Sequence, residues 1–165
     1  MNDVNGEKMR TVLFHCEEYM IKLGRLANWP GVVPEEVTEK EQRVENCILA
    51  LVTAEKGDDI DAATTGLAKE IRKFCKEVKT QKVVVLPFAH LSNNLLDSEN
   101  SVCEMKMIEE KLAGQCEVVR AHFGSSKELL IHLYDHPGNA RYREYYPTAG
   151  LLRDDSVPMK SKMRS

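Results

Sequence analysis

Residues 83–92 read VVVLPFAHLS, and this stretch decides the fold of the chain. The four apolar residues 83–86 are typical of a short strand that is buried on both faces of a sheet. Pro87 has no backbone N–H to donate, so it marks the end of that strand. His90 follows in the loop, where α/β proteins place the side chains that carry chemistry. A capped strand end with an ordinary surface histidine is the alternative interpretation.

The segments before this strand make it part of a parallel unit. Residues 47–53 (CILALVT) read as another buried strand. A helix is predicted next, because apolar side chains recur at three- and four-residue spacing at positions 67, 71, 74 and 78. Asp58, Asp59 and Asp61 are candidates for its N-cap. The order of strand, helix and strand predicts a parallel crossover.

Other segments add strands and a second helix. Residues 11–16 predict a strand, and the period-two alternation of residues 18–24 predicts a half-exposed antiparallel strand. Residues 98–114 predict a helix with Ser101 and Glu104 at capping-box spacing and Gly114 as its stop. These elements together predict one α/β domain, with a mixed β-sheet packed by two main helices.

The remaining segments are predicted from turn residues and composition. Residues 117–123 and 128–134 read as strands that a tight hairpin joins through residues 124–127. The glutamate-rich residues 34–46 are expected to form a loop or edge structure. One short helix is expected at residues 141–145.

Length and composition bound the organisation of the chain. A chain of 165 residues suits one compact domain, which we place at residues 10–147 between a flexible lead (1–9) and a tail or linker (148–165). Apolar residues make up 42% and charged residues 30%, as in ordinary soluble proteins. Neither a membrane-spanning run nor the apolar core of a signal peptide is present in the sequence, so a cytoplasmic setting is expected.

Cysteines, charge and motifs exclude several function classes. The five cysteines are an odd number and form no CxxC pair, which predicts neither a disulfide framework nor a zinc site. A net charge of −3 argues against non-specific binding of nucleic acids. It is compatible with a site that binds one end of an RNA. The sequence has no GxGxxG, P-loop, HExxH or GxSxG motif, so no cofactor and no metal are expected.

Two motifs in order resemble a known family. PFAHLS at residues 87–92 and FGSSK at residues 123–127, followed by His136 and Pro137, resemble the N-terminal editing domain of archaeal-type threonyl-tRNA synthetases. That domain shares the fold of D-aminoacyl-tRNA deacylases. The resemblance covers roughly residues 10–145, and the hexapeptide is its more specific motif. It implies a D-aminoacyl-tRNA deacylase-like fold and the hydrolysis of serine mischarged on threonine tRNA.

The resemblance also implies a site. Lys127 would position a water and stabilise the charge that develops on the ester carbonyl, and His90 would hold the ribose hydroxyls or the ester. Serine lacks one methyl group of threonine, and a pocket discriminates such a group by only ~1–3 kcal/mol, so a second and smaller sieve is needed. The residues expected to line that sieve are Ala54, Pro87, Phe88, Ala89, Cys103, Ser126 and His15.

The implied partners are threonine tRNA with a seryl group on its 3′ adenosine, a second copy in a homodimer, and a synthetase core in cis or in trans.

Two departures from the family pattern leave alternative functions open. Family members carry aromatic residues where this chain has Ser125 and Ser126, and an acidic residue near positions 139–141, with Glu144 close by here. A D-aminoacyl-tRNA deacylase, or a non-catalytic module for tRNA binding or dimerisation, is therefore the alternative function.

Overall fold

The computed structural model describes residues 9–28, 30–36, 39–146 and 151–154. Within them the chain forms one sheet with two α-helices and a short 3-10 turn. The elements are β1 (Arg10–Leu26), β2 (Glu41–Thr53), α1 (Ile60–Val78), β3 (Lys82–Pro87), the 3-10 turn (Ala89–Leu91), α2 (Ser98–Leu112), β4 (Glu117–Arg120), β5 (Ser125–Leu133), β6 (Ala140–Tyr146) and β7 (Leu151–Asp154). Neither helix is long and apolar enough to cross a membrane.

The sheet is mixed, with the order β4-β3-β2-β1-β6-β7 and β5 as a further partner of β1. β2, β3 and β4 are parallel to one another, and the other pairs are antiparallel. Ala50 of β2 pairs with Val85 of β3, and α1 forms the connection between these strands. The predicted parallel crossover and mixed sheet are therefore confirmed.

β1 is a single strand where the sequence suggested two segments. Its first half pairs with β6 and its second half with β5, while β2 runs along both halves. The β5 register shifts between Cys16 and Glu18, and Asn46 opposite has a positive φ of 48°. Such irregularities bend a sheet. Here they fold back the half of the β1–β2 pair that contains residues 18–26 and 41–45. As a result, the Gln42 side-chain amide donates a 3.2 Å hydrogen bond to the Arg120 carbonyl of β4.

This curl gives the sheet two buried faces. α1 and α2 cover the first face, which holds the fully buried Leu67, Ile71 and Phe74. No helix covers the second face within the described residues. The folded-back half of the β1–β2 pair covers it instead. Its core is a single apolar cluster made of Cys16, Tyr19, Ile21, Cys47, Leu49, Leu51, Val84, Leu86 and Ala121, called the inner cluster below.

Both helices occur where the sequence predicts them, but one cap differs. Asp59 caps α1, because its side chain accepts a hydrogen bond from the Ala62 N–H at 3.1 Å. The capping box predicted for α2 is wrong, since Asp97 caps this helix through the Asn100 N–H at 3.1 Å. Glu104 lies a turn too far into the helix to reach the cap, and it is fully buried.

Three other predictions are corrected by strand pairing. The hairpin at residues 124–127 is wrong, because β4 pairs with β3 whereas β5 pairs with β1. The helix at residues 141–145 is β6, and residues 151–154 of the expected tail form β7; residues 155–165 lie outside the described residues. Residues 41–46 form an edge-like part of β2, since their only described ladder partner is β1.

Candidate functional site

The PFAHLS motif lies where the parallel strand β3 ends. Phe88 continues the ladder by one bond, as its N–H donates to the Val52 carbonyl at 2.9 Å, and the Thr53 hydroxyl donates to the Phe88 carbonyl. The chain then leaves the sheet through the 3-10 turn that carries His90. The imidazole of His90 is exposed and packs edge-on against the Phe88 ring, with 5.0 Å between ring centroids.

Glu55 anchors the motif from the neighbouring strand end. Its carboxylate is 1% exposed, and it accepts hydrogen bonds from Arg10 Nε at 3.2 Å and from the Ser92 hydroxyl. Ser92 is the last residue of PFAHLS, so the carboxylate ties this loop to β1 and β2. Arg10 also lies 3.9 Å from Glu144 of β6, which is 5% exposed. One arginine therefore links the two buried carboxylates at the base of the loop.

A second pair of carboxyl groups is buried beside this anchor. Asp58 accepts a hydrogen bond from the Glu55 N–H at 2.8 Å and contacts Glu104 of α2. Burial, helped by the charge of Asp58, raises the pKa of Glu104 to about 9. Burial also raises the pKa of Asp58. Two carboxyl groups in one apolar site do not both ionise, so this pair holds a proton at neutral pH.

Lys127 lies in a different element, near the start of β5. It pairs with Leu23 of β1, is half-buried, and donates from Nζ to the Ser125 carbonyl at 3.0 Å. Burial lowers the pKa of this lysine, and the negative charge of Glu35 opposes the shift. Its neighbours line a cavity of about 10 Å³, which is room for one water. These lining residues are Ile21, Leu23, Glu39, Lys40, Gln42, His122 and Lys127.

Residues 30–36 connect the flanks of the two motifs. The Val33 N–H donates to the Ser98 hydroxyl at 3.3 Å, just beyond the PFAHLS loop, and the Glu35 N–H donates to the Phe123 carbonyl at 3.0 Å, in FGSSK. Val33 and Glu35 are two residues apart, which corresponds to at most ~7 Å of extended chain. The flanks of both motifs therefore lie at the same end of the molecule, the carboxyl end of the parallel strands.

An ion pair fixes this connection to the sheet. Arg120, the last residue of β4, binds Glu35 through two parallel hydrogen bonds of 2.6 and 2.8 Å, and each side chain is 16% exposed. Glu35 also accepts a hydrogen bond from the Phe123 N–H at 3.0 Å. Burial alone would raise the pKa of Glu35, but the hydrogen bond and charge of Arg120 outweigh burial and lower it.

His15 lies on the helix-covered face of β1, away from the inner cluster. Its Nδ1 is 2.8 Å from Nε2 of His136, and its Nε2 is 3.1 Å from Oδ1 of Asn46. Nδ1 of His136 lies 2.9 Å from the Pro137 carbonyl oxygen, which holds this ring in place beside His15. Burial lowers the pKa of His15. The structure thus joins two histidines that are 121 residues apart in sequence.

The other predicted site residues have different surroundings. Ala54 is buried at the end of β2, Pro87 and Phe88 are half-buried at the end of β3, and Ala89 is exposed. Cys103 lies on the exposed side of α2. Ser126 alternates with Lys127 along β5, so the two side chains leave opposite faces of the strand. Its hydroxyl accepts a hydrogen bond from the Arg25 N–H at 2.8 Å.

Sequence reasoning missed the buried charges of this region. No local pattern relates Arg10 to Glu55 or Asp58 to Glu104, because each contact joins separate elements of the fold. At Asn139, near where the resemblance implies an acidic residue, the side-chain amide donates to the Tyr134 carbonyl at 2.8 Å. Among the described residues, no three His, Cys, Asp or Glu side chains are grouped as metal ligands would be.

Comparison with a solved structure defines the class of fold. The chain matches a protein described as a probable eukaryotic D-amino acid tRNA deacylase with a TM-score of 0.55, over 83% of this chain and 99% of that one. The sequences are 10% identical, so this match concerns the fold. The D-aminoacyl-tRNA deacylase-like fold class predicted above is confirmed.

Comparisons of sequence define the family. The model of the archaea-specific editing domain of threonyl-tRNA synthetase matches residues 9–144. The threonine–tRNA ligase of Methanothrix thermoacetophila is 31% identical over 131 residues, which are 78% of this chain and 21% of that protein. The threonine–tRNA ligase editing subunit of Saccharolobus solfataricus is 31% identical over 124 residues, which are 75% of this chain and 32% of the subunit.

The chain belongs to the family of archaea-specific editing domains of threonyl-tRNA synthetase. This confirms the resemblance that the PFAHLS and FGSSK motifs indicated. The chain spans 21% and 32% of the lengths of the two relatives described above.

Proposed function

We propose that this chain hydrolyses the ester bond of seryl-tRNA(Thr) and so proofreads threonine aminoacylation. Membership of the editing-domain family supports the reaction class. The structural observation that supports the proposal is the joining of the two motif flanks through residues 30–36. From it we infer that the exposed imidazole of His90 and the half-buried ammonium group of Lys127 face one substrate. Threonine tRNA is the proposed partner, and a synthetase core in cis or in trans is the proposed source of the mischarged substrate.

The proposed chemistry is the attack of water on the ester carbonyl. Negative charge develops on the carbonyl oxygen, and the ammonium group of Lys127 stabilises that charge. Burial makes this ammonium group more effective, because charges interact more strongly where water is scarce. His90 binds the terminal ribose through its exposed ring, and the neighbouring 2′ hydroxyl assists proton transfer. A strong protein base is then not required.

The proposed specificity comes from size. Phe88 packs edge-on against His90, and we infer that Phe88, with Pro87 before it and Ala54 at the end of β2, limits the space for the acyl group. Ala89, the next residue, is exposed and is proposed to border the same space. A pocket that is just large enough for serine excludes threonine, because the extra methyl group does not fit. This exclusion favours serine over threonine by ~1–3 kcal/mol. Roles for Cys103, Ser126 and His15 in substrate binding stay predictions. A homodimer in the cytoplasm is the setting that we propose for this activity.

The test is deacylation by the purified chain. Threonine tRNA charged with L-serine, L-threonine, glycine or D-serine is incubated with the chain, and ester loss is measured against a protein-free blank. We expect the seryl ester to be hydrolysed at least about tenfold faster than the threonyl ester. Preferential loss of the D-seryl ester would replace the proposal with a D-aminoacyl-tRNA deacylase. Binding of charged tRNA without turnover of any ester would make the chain a non-catalytic module.

A further inference from the structure

A groove of about 710 Å³ opens at the amino end of β3, far from the PFAHLS loop. It lies between the C-terminal turns of α1 and the connection from α2 to β4. Its lining is cationic or neutral and contains no acidic residue. The lining residues are Arg72, Cys75, Lys76, Lys79, Thr80, Gln81, Gln115 and Cys116.

The positive charges come from α1 and its C-cap residue. Arg72 and Lys76 are four residues apart on the same side of α1, and Lys79 is the C-cap residue that follows this helix. Arg72 is partly engaged, since it donates to the Lys111 carbonyl at 3.3 Å. Lys76 and Lys79 form no ion pair with any residue that the structure describes. Both ammonium groups are therefore available to a ligand.

Nearby acids do not neutralise these lysines. Glu77, the acid adjacent to Lys76 in sequence, is bound to Arg141 at 2.7 Å. Glu117 at the start of β4 pairs with Lys82 in the parallel ladder, so the acid nearest to this end of the groove has a lysine as its strand neighbour. The groove is thus locally positive although the whole chain carries a net charge of −3.

The donor set indicates a phosphate ligand. Lysine and arginine supply the charge that phosphates attract, and the neutral donors Thr80, Gln81 and Gln115 suit phosphate and sugar oxygens. We propose that this groove binds the phosphate backbone of the same RNA whose 3′ end enters the PFAHLS site. This inference rests on the proposed function for the identity of the RNA.

The distance between the two sites fits one RNA. β3 runs from Lys82 beside the groove to Pro87 at the PFAHLS loop, a span of roughly 17 Å at the usual rise of a strand. Successive phosphates of one RNA strand lie only a few ångströms apart, so this span corresponds to several nucleotides. The groove would then hold the stem that precedes the 3′ terminus and leave the terminal ester at His90.

The test measures binding of uncharged RNA, so it needs no turnover. Fluorescence anisotropy gives the Kd of an acceptor-stem minihelix of threonine tRNA at several salt concentrations. The variant is Lys76→Ala with Lys79→Asn, because asparagine tolerates the left-handed φ of 60° at position 79. We expect about tenfold weaker binding at low salt and a salt slope smaller by about one to two units.

Two further variants make the result specific. Lys106→Ala removes an exposed lysine on α2 outside the groove, and it should leave Kd nearly unchanged. Gln115→Glu introduces a negative charge into the groove without touching its lysines, and it should weaken binding as the double variant does. Unchanged Kd and salt slope in both groove variants, with folding verified by thermal unfolding, would overturn the proposal.

The outcomes separate this proposal from the proposed function. If the wild-type chain hydrolyses a seryl-minihelix and the groove variants match its kcat/KM and Kd, the groove proposal fails while the editing function stands. If no ester is hydrolysed but the groove variants lose RNA binding, the groove stands and the editing function fails. A seryl ester of adenosine lacks the stem phosphates, so its hydrolysis should be equal in wild type and groove variants.

Discussion

Ser92 and Glu55 join the end of the PFAHLS motif to the end of β2, with the serine hydroxyl donating to a carboxylate that is 1% exposed. The same carboxylate binds Arg10 of β1. The position of the loop that carries His90 therefore depends on a buried charge that is 37 residues away from Ser92 in sequence.

Replacing Ser92 with alanine should destabilise the protein and loosen this loop. The change removes one donor from a buried carboxylate, which costs about 1–3 kcal/mol. Urea unfolding measures the loss, and kcat/KM for seryl-tRNA should fall with it. Asn93→Ala, an exposed change in the same loop, serves as the control and should alter stability by no more than about 0.5 kcal/mol. Equal stability of the two variants would contradict the anchoring role.

Replacing Glu104 with glutamine should stabilise the protein at alkaline pH. Burial raises the pKa of Glu104 from 4.5 to about 9, so the folded state favours the neutral acid. Its stabilising contribution is complete below pH 4.5 and is lost as pH rises through about 9. For each pH unit between 5 and 8, the variant should gain up to about 1.4 kcal/mol relative to wild type.

Thermal unfolding across pH measures this gain. Glu99→Gln, on the exposed side of the same helix, is the matched control and should follow the wild-type curve. A Glu104→Gln variant whose stability falls with pH as steeply as wild type would show that this carboxyl group does not hold the proton.

Replacing Glu35 with glutamine should destabilise the protein at neutral pH. The ion pair with Arg120 lowers the pKa of Glu35 overall, so its contribution is present above pH 4.5 and is lost as pH falls through the lower folded value. Hydrogen bonds to charged groups are worth about 1.5–3 kcal/mol, and this is the expected loss at pH 7. The loss should shrink in strong acid.

Denaturant unfolding at pH 7 and below pH 4 tests the Glu35 prediction. Glu36→Gln changes the exposed neighbouring residue and should leave stability almost unaltered. An equal loss at both pH values would mean that charge plays no part in holding residues 30–36.

Replacing Lys127 with alanine should reduce catalysis more than binding. Loss of one group that stabilises an oxyanion costs a factor of about 10²–10³ in kcat. Because burial lowers the pKa of Lys127, the wild-type rate above the blank should decline at a pH below the usual lysine value of 10.5. Single-turnover deacylation and tRNA affinity are measured in parallel.

Lys40→Ala is the control for Lys127, since Lys40 lines the same small cavity but is exposed. Its deacylation rate should stay within a fewfold of wild type. Full activity of the Lys127→Ala variant would remove this lysine from the mechanism and leave His90 and the substrate's own hydroxyl group to account for any turnover.

Local sequence patterns predicted the elements whose identity depends on residues close in the chain. The apolar spacing of residues 67–78 and the run at residues 83–86 specify α1 and β3 by their own periodicity. The hairpin at residues 124–127 failed because strand partners are chosen by the whole sheet. Gly124 has a φ of 85° and lies against Pro34, where a Cβ atom would come within 2.6 Å of the Pro34 Cα. The turn thus directs β5 toward β1.

The sequence by itself determined the crossover, the two helices and the family, because each depends on short-range periodicity or on contiguous motifs. Only the tertiary structure decided which distant charges meet: Glu55 with Ser92 and Arg10, and Glu35 with Arg120. The physical reason is that strand pairing and the curl of the sheet set these contacts. Pairing of Arg10 with Thr53 and of Val52 with Pro87 brings the ends of β1, β2 and β3 together around Glu55, whereas the curl brings the outer part of β1 and β2 to β4 and so Glu35 to Arg120. That curl arises from a register shift at Cys16 and a positive φ at Asn46, which bring together residues that no local pattern relates.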